Sequence, residues 1–577
     1  MNKTWLTWFF RGALFLLSCI FFYIAIRFQS ISYPEFIIWI GDQLQQEELL
    51  RKAEETINEA GFSQLKWMML VACVPVLLIL ALYIKFEQHL VAGVIQFLSR
   101  IRLSGKGLFR GIVELPPLQL WVFCILSLAF LAKAYWYVFH WPMQYDEAWT
   151  FNHFIHAPWA VTAFAPHNNH IFYTIIVKCF YHALPFLRPI EAIRLPLPLF
   201  SLLSGVLIFH FVKKHWSSNM ALLAYAIFLS TGPIVFYALY ARAYSLGILF
   251  NLLTLYALVE FVKERTKFYR VVFIVSAILS VYAIPSSIYF LVPLFGVVLI
   301  AHIQNLNLLK SIVLSGFLIL VGVCLLYAPQ IITTKLAWLT EGVGGSSGQE
   351  NLYRKHAHEL GNFLTGGGSK GIFRYLLMVA GGITTIFLAS KATRKLLIVA
   401  AVGFVSPLLI LAIQGQWIHT RVFSFVAIYS SIIVAMLLYK LLELAKLPKA
   451  IPIIALGWFI IFSYRAHKQS FFTWSNNWDQ TTEEIFEILE QEEIMQVYNY
   501  FYYAKPALEY YSTEKNYPLQ ISMPQKASIS FAAFDETRWE AVIWWIDYKG
   551  ETPNLSNYRQ VDTGNDEFEV YIRSDFN

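Results

Sequence analysis

Two consecutive stretches decide the fold of this chain: residues 118–139, which read LQLWVFCILSLAFLAKAYWYVF, and residues 145–150, which read YDEAWT. An apolar stretch of about 20 residues is long enough to cross a bilayer as a helix. The adjacent carboxylates Asp146 and Glu147 follow where this stretch ends. Acidic side chains at the end of a membrane helix are often functional, although they can also cap the next helix in the headgroup region.

The composition of the whole chain is that of a membrane protein. Of its 577 residues, 57% are hydrophobic and only 14% are charged, and the mean hydropathy is +0.53. These values are typical of polytopic membrane proteins and exclude an ordinary soluble enzyme. Thirteen apolar segments are candidate membrane helices: 5–26, 66–84, 118–139, 195–211, 220–236, 241–261, 269–283, 285–301, 308–327, 371–388, 395–412, 422–439 and 451–464. The sequence therefore predicts a mainly α-helical protein with about 13 transmembrane helices.

Lysine and arginine collect in alternate loops of this topology, and cytoplasmic loops are the ones that retain such residues. The basic clusters lie at residues 85–110, 213–214, 263–270, 391–395 and 440–449, with Lys3 and Arg11 near the N-terminus. This pattern predicts a cytoplasmic N-terminus. It places Asp146, Glu147 and the segment after residue 464 on the extracytoplasmic side.

The segment 467–577 differs in charge from the rest of the chain. It holds 8 lysines and arginines against 19 acidic residues, whereas the remainder holds 36 against 18. The basic excess of the membrane part is the positive-inside signature, so nucleic acid is not a predicted partner. Helical and strand patterns alternate within 467–577, and they predict a small extracytoplasmic α/β domain.

Three predicted domains result. Residues 1–117 form two N-terminal membrane helices with an outer helical loop and a basic cytoplasmic loop. Residues 118–466 form the membrane core, with long outer loops at 140–194 and 331–370, and residues 467–577 form the acidic domain.

Arginines on the outer face argue for an anion site. Arg194, Arg242 and Arg421 each stand at the outer end of a predicted membrane helix, and Tyr244 follows Arg242 closely. One such arginine could simply reach lipid phosphate. Three arginines on the same face as a carboxylate pair run against the positive-inside bias and need another explanation. Clustered arginines bind phosphate well, because each planar guanidinium can donate two parallel hydrogen bonds.

A carboxylate beside a phosphate-binding cluster fits one chemistry in particular. A sugar linked through phosphate to a membrane lipid could bind there, with its phosphate neutralised by arginine. Asp146 or Glu147 would then take the proton of an acceptor hydroxyl that attacks the sugar. The sequence has neither a P-loop nor a dinucleotide-binding glycine motif, so no nucleotide cofactor is predicted.

The histidines of the first outer loop offer an alternative. His153, His156, His167 and His170 have spacings that could hold a divalent metal together with Asp146 or Glu147. Neither histidine pair lies on a clear helix face, so the expected assignment is that no metal is bound and the metal site stays a secondary hypothesis.

The order of these motifs resembles a known enzyme family. The chain resembles the membrane-embedded glycosyltransferases of the GT-C type that use lipid-phosphate sugars, in the group of protein O-mannosyltransferases and aminoarabinose (lipid A) transferases. The matching positions are Asp146-Glu147-Ala148, Asn168-Asn169-His170-Ile171-Phe172-Tyr173, Arg194-Leu195-Pro196, Ala241-Arg242-Ala243-Tyr244 and Arg421. The resemblance covers residues 118–464. Tyr240 stands where the family often has an acidic residue before its Ala-Arg motif.

The resemblance implies a role for each matched residue. Asp146 would be the catalytic base of an inverting transfer, and Glu147 would assist acceptor binding. The donor phosphate, carried on a polyprenyl chain, would bind Arg194, Arg242, Tyr244 and Arg421. Asn169, His170 and Tyr173 would contact the acceptor or support the loop. The partners would be a polyprenyl-phosphate sugar, a lipid, glycan or protein acceptor, and membrane lipids, in a bacterial inner membrane.

Two other functions compete with this one. A flippase or transporter of lipid-linked sugars would also need cations near lipid phosphate, but transporters usually show internal repeats and broken helices, which this sequence does not. A polysaccharide polymerase or ligase would use similar lipid-linked substrates without requiring the Asp-Glu pair.

Overall fold

The computed structural model describes residues 3–44, 57–164, 169–330, 352–367, 370–388, 390–415, 418–469, 478–499, 504–523, 539–545, 555–561 and 568–574. In the first third of the chain the helices are α1 (Lys3–Ser30), α2 (Tyr33–Leu44), α3 (Glu59–Val113), α4 (Pro117–His140), α5 (Tyr145–Thr150), a π-helical turn (Phe151–Ile155), α6 (Trp159–Phe164), α7 (Ile171–Ala183) and α8 (Pro189–Arg194).

The middle of the chain continues as helices. They are α9 (Leu197–His215), α10 (Ser218–Ser230), α11 (Gly232–Tyr237), α12 (Tyr244–Glu264), α13 (Lys267–Ala283), a 3₁₀ turn (Pro285–Ser287), α14 (Ile288–Ala301), α15 (Leu306–Leu326), α16 (Leu352–Thr365), α17 (Gly371–Leu388), α18 (Lys391–Gln414), a 3₁₀ turn (Thr420–Phe423), α19 (Val426–Leu444), a 3₁₀ turn (Pro448–Ala450) and α20 (Ile451–Gln469).

The C-terminal part mixes helices and strands. It contains α21 (Trp478–Gln491), β1 (Gln496–Asn499), α22 (Ala504–Lys515), β2 (Gln520–Ser522), β3 (Ala541–Trp545), β4 (Tyr558–Val561) and β5 (Phe568–Arg573).

The predicted fold class, a polytopic helical membrane protein with a small C-terminal α/β domain, is confirmed. Each of the thirteen predicted segments falls on helix. Within the described residues, eight helices are long and apolar enough to cross a membrane: Thr7–Ser30, Pro117–His140, Pro189–His215, Tyr244–Glu264, Leu306–Leu326, Arg394–Gln414, Val426–Leu444 and Pro448–Lys468. The predicted segments 220–236, 285–301 and 371–388 correspond to shorter apolar helices, 269–283 lies in the 17-residue helix α13, and 66–84 lies inside α3.

Helix α3 differs from the prediction at its C-terminal half. Residues 85–110 were predicted as a basic cytoplasmic loop, but they continue the helix without a break to Val113. At 1.5 Å per residue its 55 residues extend over about 80 Å, far more than a bilayer core. Residues 85–110 lack proline, and their Leu, Ile, Gln and Arg residues favour helix strongly enough to offset the glycines at 93, 105 and 107. Helix α1 packs on α3, and Arg11 forms a two-bond ion pair with Glu87 at 2.6 and 2.7 Å.

Helix α10 lies at the centre of the membrane core. Eleven of its thirteen residues are buried, because α9, α19 and α20 surround it. Gly205 of α9 allows close packing there, since a Cβ at this position would stand 2.9 Å from the Tyr225 ring. A helix that is apolar all round is stable only inside such a bundle. This packing fixes α11 and the segment 238–243, which follow α10 in the chain.

The C-terminal domain is built on a five-stranded mixed sheet with strand order β2-β1-β3-β5-β4. Strands β2 and β3 run parallel to β1, and β5 is antiparallel to β3 and β4. Helix α22 joins this domain to the membrane core. The Tyr510 hydroxyl accepts a hydrogen bond from the Ile190 backbone N–H (3.2 Å), and Asn152 donates its amide to the Pro506 carbonyl (2.9 Å). The domain therefore packs against the segment that carries Asp146.

Candidate functional site

Asp146 and Glu147 lie in the first turn of α5, directly after an extended segment. Gln144 caps this short helix, and its backbone N–H donates to Glu147 Oε2 at 3.0 Å. The two neighbouring carboxylates point to different surroundings. The Glu147 side chain is completely buried, whereas the Asp146 side chain is 16% exposed.

Glu147 is the centre of a buried polar cluster. Arg194 donates Nε to Glu147 Oε1 (2.9 Å) and Nη2 to Oε2, and the Ala241 backbone N–H donates to Oε1. The same guanidinium donates to the carbonyls of Trp141 (2.6 Å) and Pro142 (2.8 Å). Because all three nitrogens of Arg194 are used and its side chain is fully buried, this arginine ties α8 to the segment before α5.

Asp146 faces a second arginine that is still accessible. Arg421 Nη1 donates to Asp146 Oδ2 at 3.0 Å, and the Arg421 side chain is 34% exposed. Arg421 belongs to the 3₁₀ turn before α19. The neighbouring Thr420 hydroxyl donates to Glu359 of α16 at 2.8 Å, so α16 holds the turn that presents Arg421.

Asp146 is held in its ionised form. Burial alone would raise the pKa of its carboxyl, but the charges of Arg242 and Arg421 and the hydrogen bonds from Tyr240 and Arg421 outweigh burial and lower the pKa below its usual value. A carboxylate stabilised in this way accepts protons only when its surroundings change.

Arg242 is the second cation of the site, and it is held rigidly. Its Nη1 donates to the Thr150 hydroxyl at 2.9 Å and to the Asp146 backbone carbonyl at 3.3 Å. Its buried Nε has no hydrogen-bond partner within the described residues. A buried donor without a partner is costly, and a bound anion would satisfy it.

His170 and Tyr244 lie next to these arginines. The His170 ring is 6.0 Å from the Tyr244 ring, and neither of its buried nitrogens has a hydrogen-bond partner in the described structure. Burial, followed by the charges of Arg242 and Arg421, keeps the pKa of His170 far below its usual value. A neutral imidazole here can both donate and accept one hydrogen bond.

The other two residues predicted to contact the acceptor are less accessible. Asn169 donates its amide to the Thr162 carbonyl (2.7 Å) and accepts from the Thr174 hydroxyl (3.2 Å), so it organises the loop around α7. Tyr173 is completely buried, and its hydroxyl has no hydrogen-bond partner among the described residues. Asn169 therefore forms hydrogen bonds within the segment around the start of α7.

The histidines predicted as alternative metal ligands do not converge. His153 stacks on Trp149 with ring centres 3.9 Å apart and bonds the Trp149 carbonyl at 3.0 Å. His156 is exposed, and His167 lies outside the described residues. Among the residues that are described, no three His, Cys, Asp or Glu side chains form a cluster that could hold a metal.

The sequence did not predict the part that two further residues take in the site. Tyr240, which stands where the family that the motifs resemble often has an acid, lies beside Asp146, and its hydroxyl contributes to the lowered pKa of that carboxyl. Thr150 positions Arg242 and also donates to the Asp146 carbonyl at 2.8 Å. The only sequence signal for Thr150 is its position four residues after Asp146, one helical turn away. Of the predicted outer loop 331–370, residues 352–365 form helix α16, while 331–351 and 368–369 lie outside the described residues.

Comparison with known proteins gives structural similarity at low sequence identity. No family model matches the sequence, and no curated protein matches it. Among solved structures, the chain is similar to ArnT from Cupriavidus metallidurans bound to undecaprenyl phosphate, with 12% identity over 78% of this chain and 97% of ArnT, at a TM-score of 0.48. The apo state of the same ArnT matches over the same shares of both chains with 10% identity and the same TM-score.

An oligosaccharyltransferase from Archaeoglobus fulgidus, solved with zinc and sulfate, is also similar. It matches at 12% identity over 74% of this chain and 67% of its own length, with a TM-score of 0.45. ArnT and this enzyme are GT-C glycosyltransferases, the group that the motifs of this chain resemble. At these identities the function of this chain has to be argued from its own site.

Proposed function

We propose that this protein is a membrane glycosyltransferase that moves a sugar from a polyprenyl-phosphate donor to an acceptor hydroxyl. The observation that carries the proposal is the Asp146 carboxylate, partly exposed and charge-paired with Arg421 at the end of a membrane helix, with buried Arg242 behind it. Such a site holds a proton acceptor and two phosphate-binding groups side by side.

The donor phosphate binds Arg421 and Arg242. Arg421 uses one nitrogen on Asp146, and a guanidinium has five N–H donors, so it can also bond a phosphate. Arg242 is fixed by Thr150 and keeps a buried donor unused among the described residues. Together they neutralise the charge that grows on the phosphate as the sugar leaves. Tyr244, the fourth predicted phosphate contact, lies beside Arg421 and Arg242 and completes the donor side.

Asp146 is the base that receives the acceptor proton. When a phosphate draws Arg421 away, the carboxylate loses a hydrogen bond and a nearby positive charge, and it gains an anionic neighbour. Each of these changes raises the pKa of Asp146 and makes it a better base. General-base catalysis of this kind contributes about 10²–10⁴-fold to a rate.

The reaction is a single displacement. The acceptor oxygen bonds the anomeric carbon as the bond from that carbon to the phosphate oxygen breaks. The hydroxyl proton passes to Asp146, and the polyprenyl phosphate leaves with the bonding electrons. Attack from the face opposite the phosphate inverts the anomeric configuration.

Glu147 and Arg194 have a positioning role in this proposal. The sequence predicted that Arg194 binds phosphate and that Glu147 assists the acceptor, but both side chains are fully buried and bonded to each other. They hold α5, α8 and the segment before α12 together, because Glu147 also accepts from the Ala241 backbone. His170, whose ring nitrogens have no hydrogen-bond partner among the described residues, is the remaining acceptor-side contact.

We place the site on the extracytoplasmic face of a bacterial inner membrane, with the N-terminus in the cytoplasm. This placement rests on the alternation of basic loops along the sequence. The acceptor is a hydroxyl of a lipid, a glycan or a protein, and the proposal includes neither a metal ion nor an organic cofactor.

The test is a transfer assay with purified protein in lipid nanodiscs. Radiolabelled undecaprenyl-phosphate sugars serve as donors and a membrane extract supplies acceptors. We expect label transfer with inverted configuration at the anomeric carbon, and strong losses in Asp146→Asn and Arg421→Gln. Glu509→Gln is the control carboxylate, since it lies in the C-terminal domain beside Lys505. Movement of the donor across vesicle membranes without any transfer would overturn the proposal in favour of a flippase.

A further inference from the structure

An apolar groove lies in the membrane core, away from Asp146. Helices α10, α16, α17, α19 and α20 line it, and its cavity has a volume of about 320 Å³. Its walls are mainly aliphatic and aromatic, with Ile433, Leu437, Trp458 and Phe462 among them. The groove is open at its side, where Leu377 is 56% exposed. A groove of this size and composition matches one hydrocarbon chain more closely than a polar ligand.

Two arginines close one end of the groove. Arg374 stands near the start of α17, and Arg465 near the end of α20. In the described part of the chain neither has a carboxylate within 4 Å, unlike Arg194 and Arg421. Chain connectivity puts them at the same end of the helix bundle as the site, because α19 begins five residues after Arg421.

Hydrogen bonds and close backbone packing hold Arg374 in place at this end of the groove. Arg374 Nη1 donates to the Thr365 hydroxyl at 2.9 Å and to the Gly367 carbonyl. Gly366 has a φ of +81°, and a Cβ there would stand 2.6 Å from the Ala466 backbone nitrogen. The turn after α16 is therefore packed tightly on the end of α20, and it fixes Arg374 beside Arg465.

We propose that this groove binds an anionic glycerophospholipid, with the lipid phosphate at Arg374 and Arg465 and one acyl chain along the groove. Charge complementarity supports this occupant, since two unneutralised arginines border an apolar channel. The open side admits ligands from the bilayer, where phospholipids are far more concentrated than any carrier lipid, and binding follows concentration.

The site is distinct from the one proposed for the donor. None of the described contacts of Asp146, Arg242 or Arg421 involves Arg374 or Arg465. The bound lipid would link five helices of the core, and α19 among them follows the turn that carries Arg421. The proposal does not depend on the transferase activity, because its readout is binding.

Native mass spectrometry of the purified full-length protein in neutral detergent tests this inference. The probes are phosphatidylglycerol, phosphatidylcholine and undecaprenyl phosphate, each titrated separately and in competition. We expect phosphatidylglycerol to bind at least about tenfold more tightly than phosphatidylcholine and to raise the melting temperature. Arg465→Gln should weaken phosphatidylglycerol binding about tenfold, since one charge-assisted contact is lost.

Two further variants separate the contributions. Gly381→Leu fills the groove, because even a Cβ at Gly381 would lie 3.0 Å from Leu437, and it should weaken binding of phosphatidylglycerol without removing a charge. Arg354→Gln removes an exposed arginine of α16 that does not line the groove, so binding should be unchanged.

Equal binding of the charged and neutral phospholipids would overturn the inference, as would undiminished binding in Arg465→Gln. Displacement of phosphatidylglycerol by undecaprenyl phosphate at a lower concentration would also overturn it, because the groove would then belong to the carrier lipid.

Discussion

Replacing the two adjacent carboxylates, one at a time, should separate structure from catalysis. Glu147→Gln leaves the fully buried Arg194 without its counter-charge. Breaking a buried ion pair at one partner costs about 3–5 kcal/mol, because an uncompensated charge stays inside the protein. Asp146→Asn keeps the backbone carbonyl that Arg242 bonds and removes one ion pair whose arginine is one-third exposed, so it should cost less than Glu147→Gln. The Glu147 variant should therefore be much less stable than the Asp146 variant.

The assay is thermal unfolding in one detergent, at one protein concentration and one heating rate, followed by transfer activity at a temperature where both variants are folded. We expect a large drop in melting temperature for Glu147→Gln and a small one for Asp146→Asn. Activity should fall about 10²–10⁴-fold in Asp146→Asn. The double variant Glu147→Gln, Arg194→Met should recover part of the lost stability, since no buried charge is then unpaired. Equal melting temperatures for the two single variants would refute the assignment of Glu147 as a structural residue.

Three further outcomes are expected. The pKa of Asp146 is lowered in the free protein, so the stability that its ionised form contributes should be complete above about pH 3.9, the ordinary pKa of an aspartate, and should be lost only as the pH falls through the lowered pKa. The pH profile of kcat/KM should therefore show no acid limb from this group above about pH 5. The acid limb of kcat, which reports the donor-bound state, should lie at higher pH. Tyr240→Phe removes a hydrogen bond to the ionised carboxylate, so the acid limb of kcat/KM should move up by about one pH unit or more, and an unchanged pH profile would contradict the contact. Tyr510→Phe leaves the Ile190 N–H without its acceptor and should weaken the contact between the C-terminal domain and the core by about 1–3 kcal/mol. The measurement is the rate of proteolysis between the domain and the core, which should rise. Tyr464→Phe is the control, because Tyr464 is exposed and lies outside this contact.

The fold class could be predicted because apolar length and alternating basic loops are properties of the sequence itself. All thirteen predicted segments are helical for that reason. The failure at residues 85–110 has a physical cause: positive charge marks a cytoplasmic location, but it does not end a helix. Helix α3 continues through Pro75 and through the glycines at 93, 105, 107 and 111, and it ends at Val113, shortly before the prolines at 116 and 117.

The site could be predicted only in outline. The order of the motifs and their common side of the membrane predicted which residues belong to the site, and placed Asp146, Arg242 and Arg421 on one face. The sequence could not predict that the two carboxylates have different surroundings, because Asp146 and Glu147 differ only in the direction that their side chains take from a single helical turn. Tyr240 departs from the family pattern in the sequence, and in the structure its hydroxyl is one of the groups that lower the pKa of Asp146. Contacts between residues nearly 100 positions apart are fixed by packing, and one sequence does not reveal them.

The most direct test of the central claim compares donor binding and sugar transfer in the wild type and Asp146→Asn. Donor affinity is measured with an undecaprenyl-phosphate sugar in nanodiscs, and transfer is measured in single turnover at saturating donor. We predict that Asp146→Asn binds the donor as tightly as the wild type or more tightly, because Arg421 is released, while transfer falls by about 10²-fold or more. Transfer at the wild-type rate in the variant would contradict the assignment of Asp146 as the catalytic base.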